Sequence, residues 1–514
     1  MKYFLMLIQL WVGFLPICAS YPKANIWIIP SVESPQVYRN YAQTSKVHLE
    51  MARGEVEHIQ LVFPSKVNEE YRFTFDRNLK GIQISARELK KMNGYYDALV
   101  PFKNQLKCTD TLTAVWITVQ CPSRVPVGKY HQTIKIEGSK HFTIQLDYNV
   151  HHTTIPLKSS IPITVGVENR CVAEGLNDKE ADKERQRWVD FVLSYRMTPV
   201  FGTQITPERW QYEHSFSPWA WNDKRSIRLL NDRRYSCYML PFFTLSENEL
   251  ASLLCNIQKK GKLKESLFYI WDEPAYMEDY EQIKQKVNII RKYASDARIL
   301  TTFFCGPRNG PRKGDLYAVF DYLKHHIHVA TISLAPCKGN EEEVQHIRYK
   351  VPEGIDWWSY VCWQPGGNEP NFLLQMKGIQ QRAIMWRTWK NGSQGFLYWN
   401  CNIYHKRNPF TYITDMPHGD GILIYPGDIL GRKGTIASAR LERWRDGAEE
   451  MELLRLVEKN YSKEKADTLL NIVYSSPLSF IEKAHNIPFF RKELLDQLDK
   501  TIPIDYKLRI TDFI

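Results

Sequence analysis

Apolar residues fall in two patterns along this chain, and the boundary between them lies near residue 160. From Ala24 to about Pro156 the apolar runs are short, rich in β-branched and aromatic residues, and separated by turn residues such as Pro126, Gly128, Gly138 and Ser139. Ile26–Ile29, His58–Phe63, Ala114–Val119, Gln132–Ile136 and Phe142–Leu146 read as strands. Several such strands at short spacing predict an all-β sandwich over residues 21–158.

From Ile161 the pattern changes to strand, helix, strand, helix. Strand-like runs occupy Ile163–Val167, Pro199–Gly202, Tyr235–Phe243, Leu267–Trp271, Ile299–Phe304, Val329–Leu334, Trp357–Trp363 and Gly395–Trp399. Helical spacing marks Lys179–Tyr195, Glu247–Lys260, Glu278–Ser295, Glu341–Tyr349 and Phe372–Trp389. This alternation predicts a (β/α)8 TIM-type barrel over residues 159–434. A doubly wound open sheet is the alternative, but no glycine-rich phosphate loop follows any of these strands. Beyond Gly434, helical spacing over Thr435–Asn460 predicts one long helix. Shorter ones follow, including Phe489–Leu498 after Pro488, so residues 435–514 form a helical extension packed on the barrel. The fold class is therefore multidomain, all-β followed by α/β.

The first twenty residues stand outside both patterns. A basic start, an apolar run from Tyr3 to Ile17 and the small-residue end Cys18-Ala19-Ser20 read as a secretory signal peptide over residues 1–20. Leu15-Pro16-Ile17-Cys18 loosely resembles a lipoprotein box. Ile17 stands where a small residue is required, which argues against a lipid anchor at Cys18. Export to the periplasm, cell surface or medium is the expectation, and no other apolar run is long enough for a transmembrane helix.

Composition changes this picture in three places. The formal net charge of +11 comes without a long basic block or a nucleic-acid-binding motif, so nucleic acid is not the expected partner. Nine cysteines follow Cys18 with no CxxC or zinc-ligand spacing, so a metal centre is not expected; Cys108 and Cys121 are a candidate disulfide pair. Ten of the fifteen tryptophans lie between Trp210 and Trp399, inside the expected barrel, where Trp210, Trp219 and Trp221 sit together in one long loop that invites sugar stacking.

Barrel chemistry sits at the carboxyl ends of strands. The fourth barrel strand ends in Asp272-Glu273-Pro274. Two adjacent carboxylates after an apolar strand are costly without a purpose. Pro274 predicts an extended backbone at Glu273. Neighbours on a regular strand point to opposite faces, so both reach one ligand only where the strand relaxes. The plainer role for this pair is to cap the helix that follows.

Retaining glycosidases usually set two carboxylates about 5–5.5 Å apart. Glu273-Pro274 suits the acid half of that pair, but the seventh strand ends without a carboxylate, and Glu369 lies six residues beyond it. Substrate-assisted hydrolysis needs no protein nucleophile, because the 2-acetamido oxygen of an N-acetylhexosamine attacks its own anomeric carbon. Asp272 and Glu273 would then orient the acetamide and protonate the leaving oxygen.

Trp271-Asp272-Glu273-Pro274 resembles the catalytic segment of glycoside hydrolase family 123, the β-N-acetylgalactosaminidases. Arg382-Ala383-Ile384-Met385-Trp386, Gly395–Trp399, Gly419-Asp420-Gly421 with Leu423–Gly427, and Arg443–Gly447 through Glu449 and Glu452 follow that family's pattern in order. The resemblance implies Asp272 as the acetamide-orienting residue and Glu273 as general acid/base. It also implies Tyr360 as a hydrogen-bond partner of the acetamide or sugar, and Trp399 as pocket wall. Trp358 and Trp271 complete the expected substrate-binding set. The implied activity is retaining release of β-linked N-acetylgalactosamine from oligosaccharide, glycolipid or polysaccharide, without metal or cofactor. A retaining glycosidase using Glu369 as nucleophile on another sugar, and a catalytically inactive carbohydrate-binding protein, are the competing readings.

Other clusters carry less chemistry. His325, His326 and His328 have only Asp321 nearby and match no ligand spacing. Glu449, Glu450 and Glu452 are expected to pair with Arg443, Arg445 or barrel arginines.

Overall fold

The computed structural model describes residues 25–76, 81–206, 211–336, 341–404, 408–409 and 418–501. The expected signal peptide, Cys18, Trp210 and Cys337 lie outside the described residues.

The chain begins with ten strands: β1 (Trp27–Pro30), β2 (Lys46–Arg53), β3 (Glu55–Pro64), β4 (Glu70–Phe75), β5 (Gln83–Met92), β6 (Tyr95–Pro101), β7 (Gln105–Lys107), β8 (Leu112–Cys121), β9 (Gly128–Glu137) and β10 (His141–Thr154). They form two five-stranded sheets, ordered β1-β3-β8-β5-β6 and β2-β10-β9-β4-β7, and antiparallel except where β2 runs beside β10. Alternate residues of both sheets, such as Leu61, Val115 and Ile117 facing Ile134, Ile144 and Leu146, share one buried core. Cys108 and Cys121 are both buried in it as free thiols, which corrects the expected pairing.

Barrel strands and helices then alternate: β11 (Ile163–Glu168), α1 (Asn169–Ala173), α2 (Asp178–Ser194), β12 (Thr198–Thr206), β13 (Gln211–Ser215), α3 (Lys224–Leu229), β14 (Tyr238–Met239), α4 (Glu247–Lys259), β15 (Ser266–Trp271), α5 (Met277–Arg291), β16 (Arg298–Phe303), α6 (Leu316–Leu323), β17 (Val329–Ser333), α7 (Glu341–Lys350), β18 (Asp356–Val361), α8 (Gly378–Lys390) and β19 (Phe396–Tyr398). The nine strands form one sheet, ordered β13-β12-β11-β19-β18-β17-β16-β15-β14 and parallel except for the β12–β13 hairpin. Its two edges approach one another, with the Phe216 amide donating to the Met239 carbonyl at 2.6 Å and Thr198 Oγ1 lying 2.8 Å from Ser236 Oγ. The result is a nearly closed, mostly parallel barrel. Inside it Val200, Met239, Leu267, Leu300, Val329, Trp358 and Leu397 pack together.

Three parts of the barrel differ from expectation. Strand pairing within Tyr235–Phe243 is confined to Tyr238–Met239, at the barrel's open seam. The antiparallel β13 occupies what reads as loop, because its polar sequence follows no apolar run. Helix α8 starts at Gly378 rather than Phe372, whose ring instead packs 4.9 Å from Tyr398 and 4.7 Å from Trp444. Its apolar character reflects that aromatic cluster, not helical periodicity.

The chain closes with the hairpin β20 (Ile424–Pro426) and β21 (Thr435–Ala437), then α9 (Ala439–Asn460), α10 (Lys463–Leu470) and α11 (Ile487–Asp499). The predicted long helix is thus shortened: Thr435–Ala437 pairs as a strand, and Ser438 caps α9 by accepting from the Leu441 amide at 3.1 Å. Helix α9 is buried nearly all round. Arg382 on α8 reaches Glu450 through both Nε (3.1 Å) and Nη2 (2.6 Å), and Asp446 through Nη1 (3.0 Å). Glu449 pairs with Arg196 and accepts from the Val56 amide, whereas Glu452 takes three donors from Ser159 and Ser160 rather than an arginine. Arg491 on α11 pairs with Glu55 and Glu57. The extension therefore packs on the β region as well as on the barrel.

Candidate active site

The carboxyl end of β15 is irregular. Against β16, Tyr269 stands opposite Leu300 while Trp271 stands opposite Thr301, so one residue is inserted between them. Such a bulge reverses which side the following residues face. Tyr269 points into the barrel with Leu267. Trp271, two positions on, packs outward against the helices, with Lys286 Nζ 5.8 Å from its ring. Asp272 is thereby returned to the inner face. The next residue, Glu273, has φ 46°, a left-handed backbone rather than the extended one expected before proline. Together the bulge and this turn let two neighbours address one space.

Four hydrogen bonds hold that conformation. Thr302 on β16 accepts from the Glu273 amide at 2.9 Å and donates to Asp272 Oδ1 at 2.8 Å. The Tyr269 hydroxyl also donates to Asp272 Oδ1, at 2.7 Å. Tyr360, on β18, donates to Glu273 Oε1. A non-glycine left-handed residue costs about 1–3 kcal/mol and persists only where its surroundings over-determine it. Here the amide and carboxyl of Glu273 are each held from a different strand. The expected capping role falls elsewhere, since Asp279 accepts from the Ala275 and Tyr276 amides at 2.8 and 2.9 Å.

The electrostatics separate the two acids. Glu273 is pushed up to about 6, first by desolvation and then by the negative charge of Asp272, with the Tyr360 hydrogen bond and Arg308 opposing. Asp272 Oδ1 accepts two donors, and Oδ2 has no hydrogen-bond partner among the described residues. Tyr360 and Tyr269 are held well above the usual phenol range by burial, so both keep their protons and act as donors.

Beside Asp272 lies a cavity of about 60 Å³, lined by Gly166, Gly202, Tyr212, His214, Tyr269, Trp399 and Asn400 among others. It has room for a few water molecules or a small polar group. His214 stacks on Tyr269 at 4.2 Å with an interplanar angle of 11°. Burial pushes its pKa down to about 3, leaving a neutral imidazole. Trp399 forms one wall, and its indole donates to Asp420 Oδ1 at 3.0 Å. The Tyr398 hydroxyl reaches the same oxygen at 3.0 Å, and Asp420, only 4% exposed, is itself pushed up to about 6 by burial.

Asp272 and Trp399 thus line one cavity, and Glu273, bonded to Tyr360, adjoins it through Asp272. Trp358 fills the barrel interior, its ring against Gly395, and Trp271 faces the helices; neither lines the cavity. Glu369 is 9% exposed and its carboxylate is bonded to the buried Arg387 at 2.8 Å. Trp219 points into the core and donates to Asp182. His328 accepts from the Ile299 amide, and no group of three metal-ligating side chains exists among the described residues. Thr302, Tyr269, His214, Asn400 and Asp420 are the site residues that the sequence did not single out. Asp420 alone carried a signal, between two glycines in the Gly419-Asp420-Gly421 block.

Comparison with known families decides the class. The model of the glycoside hydrolase 123 catalytic domain matches residues 183–457, which span β15 and both carboxylates. The chain belongs to glycoside hydrolase family 123. Among solved structures, a family 123 glycoside hydrolase from Clostridium perfringens, whose structure was analysed for glycolipid glycan hydrolysis, superposes with a TM-score of 0.64 at 14% identity. That match covers 92% of this chain and 98% of the other. At this identity the likeness is one of fold. A GH2 β-galacturonidase from Eisenbergiella tayi overlaps at a TM-score of 0.33 and 8% identity, covering 77% of this chain and 89% of the other, and carries no argument. No curated protein matches the sequence. This family 123 member is a glycoside hydrolase, and a glycan is its substrate.

Proposed function

We propose that this family 123 hydrolase releases β-linked N-acetylgalactosamine with retention, using the substrate's acetamide as nucleophile. The carrying observation is that Asp272 and Glu273 are turned to one side of the same strand end while Glu369 is committed to Arg387. In this reading Asp272 Oδ2 accepts a hydrogen bond from the acetamide N–H, which aligns the carbonyl oxygen with C1 and stabilises positive charge developing on nitrogen. As the oxygen–C1 bond forms and the glycosidic bond breaks, Glu273 gives its proton to the leaving oxygen. Its carboxylate then takes a proton from water as that water attacks C1 and reopens the oxazoline ring.

Desolvation and the neighbouring Asp272 support this role, because both favour a protonated Glu273 before substrate is cleaved. Tyr360 donates to the glutamate now and, in this reading, would donate to the acetamide carbonyl or sugar once substrate enters. Trp399, His214 and Tyr212 would wall the sugar. We read the barrel as an eightfold β/α barrel carrying β13 as an extra antiparallel strand, and the protein as exported.

The test is hydrolysis of paired aryl glycosides. Cleavage of the β-N-acetylgalactosaminide, strong inhibition by the thiazoline mimic of the intermediate, and no turnover of the plain β-galactoside are expected. Comparable rates on the two sugars would sink substrate assistance. Glycan retention with no product over hours would support the inactive binding protein instead.

A further inference from the structure

The proposed mechanism points the Glu273 carboxyl at the leaving group, so whatever surrounds it on the open side meets the sugar being released. The loop stitched beside it carries one uncommitted charge. Loop residue Arg308, after β16, is exposed and makes no ion pair or side-chain hydrogen bond with any described residue. Its place is nonetheless fixed. The Arg308 amide donates to the Ala275 carbonyl at 2.7 Å, and Asn309 Oδ1 accepts from the Met277 amide at 2.8 Å, stitching this loop to the segment directly after Glu273. The carboxylates of that segment are committed elsewhere, Asp279 to the Ala275 and Tyr276 amides and Glu278 to Asn309. Glu273 is the acid on which the Arg308 charge acts.

Two exposed aromatic residues lie close by in the chain. Tyr276, 46% exposed, lies three residues beyond it, and Trp363, 42% exposed, lies three residues beyond Tyr360, whose hydroxyl holds Glu273. Large aromatics left this open are suited to stacking on a sugar face. A free guanidinium on the loop beside Glu273 selects a carboxylate or sulfate, which it can bind through two parallel hydrogen bonds.

We propose that Arg308, with Tyr276 and Trp363, forms a leaving-group subsite that selects an anionic sugar, so that the substrates are acidic glycans carrying a uronate or sulfate next to the N-acetylgalactosamine. This inference rests on the hydrolase reading above. The net charge of +11 agrees with an acidic substrate.

The experiment compares two disaccharide glycosides, N-acetylgalactosamine β-linked to glucuronic acid or to glucose, with a 6-sulfated glucose version as third arm. The wild type should prefer the acidic substrates by about tenfold or more in kcat/KM, mainly through KM, and less so at high salt. Arg308→Ala should abolish that preference, and Arg308→Lys should restore part of it. Uronate and sulfate arms responding differently would name the anion. An unchanged preference in Arg308→Ala would overturn the proposal. So would a loss in which all substrates fall alike while the alkaline limb shifts, since Arg308 would then serve only to tune Glu273. Binding of methyl β-glucuronide, followed by NMR, gives a readout independent of turnover. Binding lost in Arg308→Ala supports the subsite even if no N-acetylgalactosaminide is cleaved, and absence of wild-type binding to both this probe and methyl β-glucoside 6-sulfate refutes it even if one is.

Discussion

Glu273 carries the sharpest consequences at the scale of single residues. Its pKa of about 6 lies above the ordinary carboxylate value because desolvation and Asp272 both disfavour the charge. A general acid must be protonated, so kcat/KM should hold level below about pH 6 and fall above it. Asp272→Asn removes the neighbouring negative charge, which moves that limb to lower pH. Tyr360→Phe removes the hydrogen bond that favours the carboxylate, which moves it to higher pH. Activated aryl substrates, or NMR titration of the carboxyl where turnover is slow, read both shifts; a limb that ignores both substitutions belongs to another group. Glu273→Gln should cost about 100-fold or more on substrates with poor leaving groups. Asp420→Ala leaves the Trp399 indole without its acceptor, and a rise in KM larger than the fall in kcat is expected. The dyad was legible because two acids closing an apolar run have no place in a core. Tyr360 was reached only through the family resemblance, and Thr302 and His214 not at all, because they come from other strands and are ordinary residues in their own segments.

At the scale of elements, the active geometry depends on a bulge and on one close backbone contact. A Cβ placed on Gly166 of β11 would lie 1.8 Å from the Trp399 carbonyl oxygen and 2.6 Å from its carbon. Gly166→Ala must therefore push β11 and the segment after β19 apart. We expect a loss of about 1–3 kcal/mol in urea unfolding, together with weakened substrate binding because Trp399 moves with its backbone. Normal stability and KM in this variant would contradict the packing at that seam. Barrel strands such as Leu267–Trp271 and Val329–Leu334 could be read directly, since each is buried on both faces and forms a continuous apolar run. β13 and the true start of α8 could not. A polar hairpin strand has no such run, and Phe372 is apolar for the sake of Tyr398 and Trp444.

Across the whole molecule, the barrel is tied to the β region through α9 and α11 by buried ion pairs. Arg382 is fully committed to Glu450 and Asp446, and its removal takes the nearest cation from two buried carboxylates, leaving Glu450 only the more distant Arg491 at 3.6 Å. Arg382→Met should cost about 3–5 kcal/mol in chemical unfolding, far more than any single surface pair. A loss under 1 kcal/mol would mean that these acids are protonated or reach water. The sequence by itself determined the order of all-β, alternating and helical parts, the barrel strands and the position of the acidic pair. Those depend on local periodicity and on the cost of burying charge, both of which can be read within one segment. Tertiary structure alone decided that the two acids face the same way, that Glu369 is occupied by Arg387 and that Trp271 turns outward. It also decided that the loop stitched beside Glu273 carries an uncommitted arginine. Each of these depends on register between strands or on partners far apart in the chain, and no local pattern encodes either.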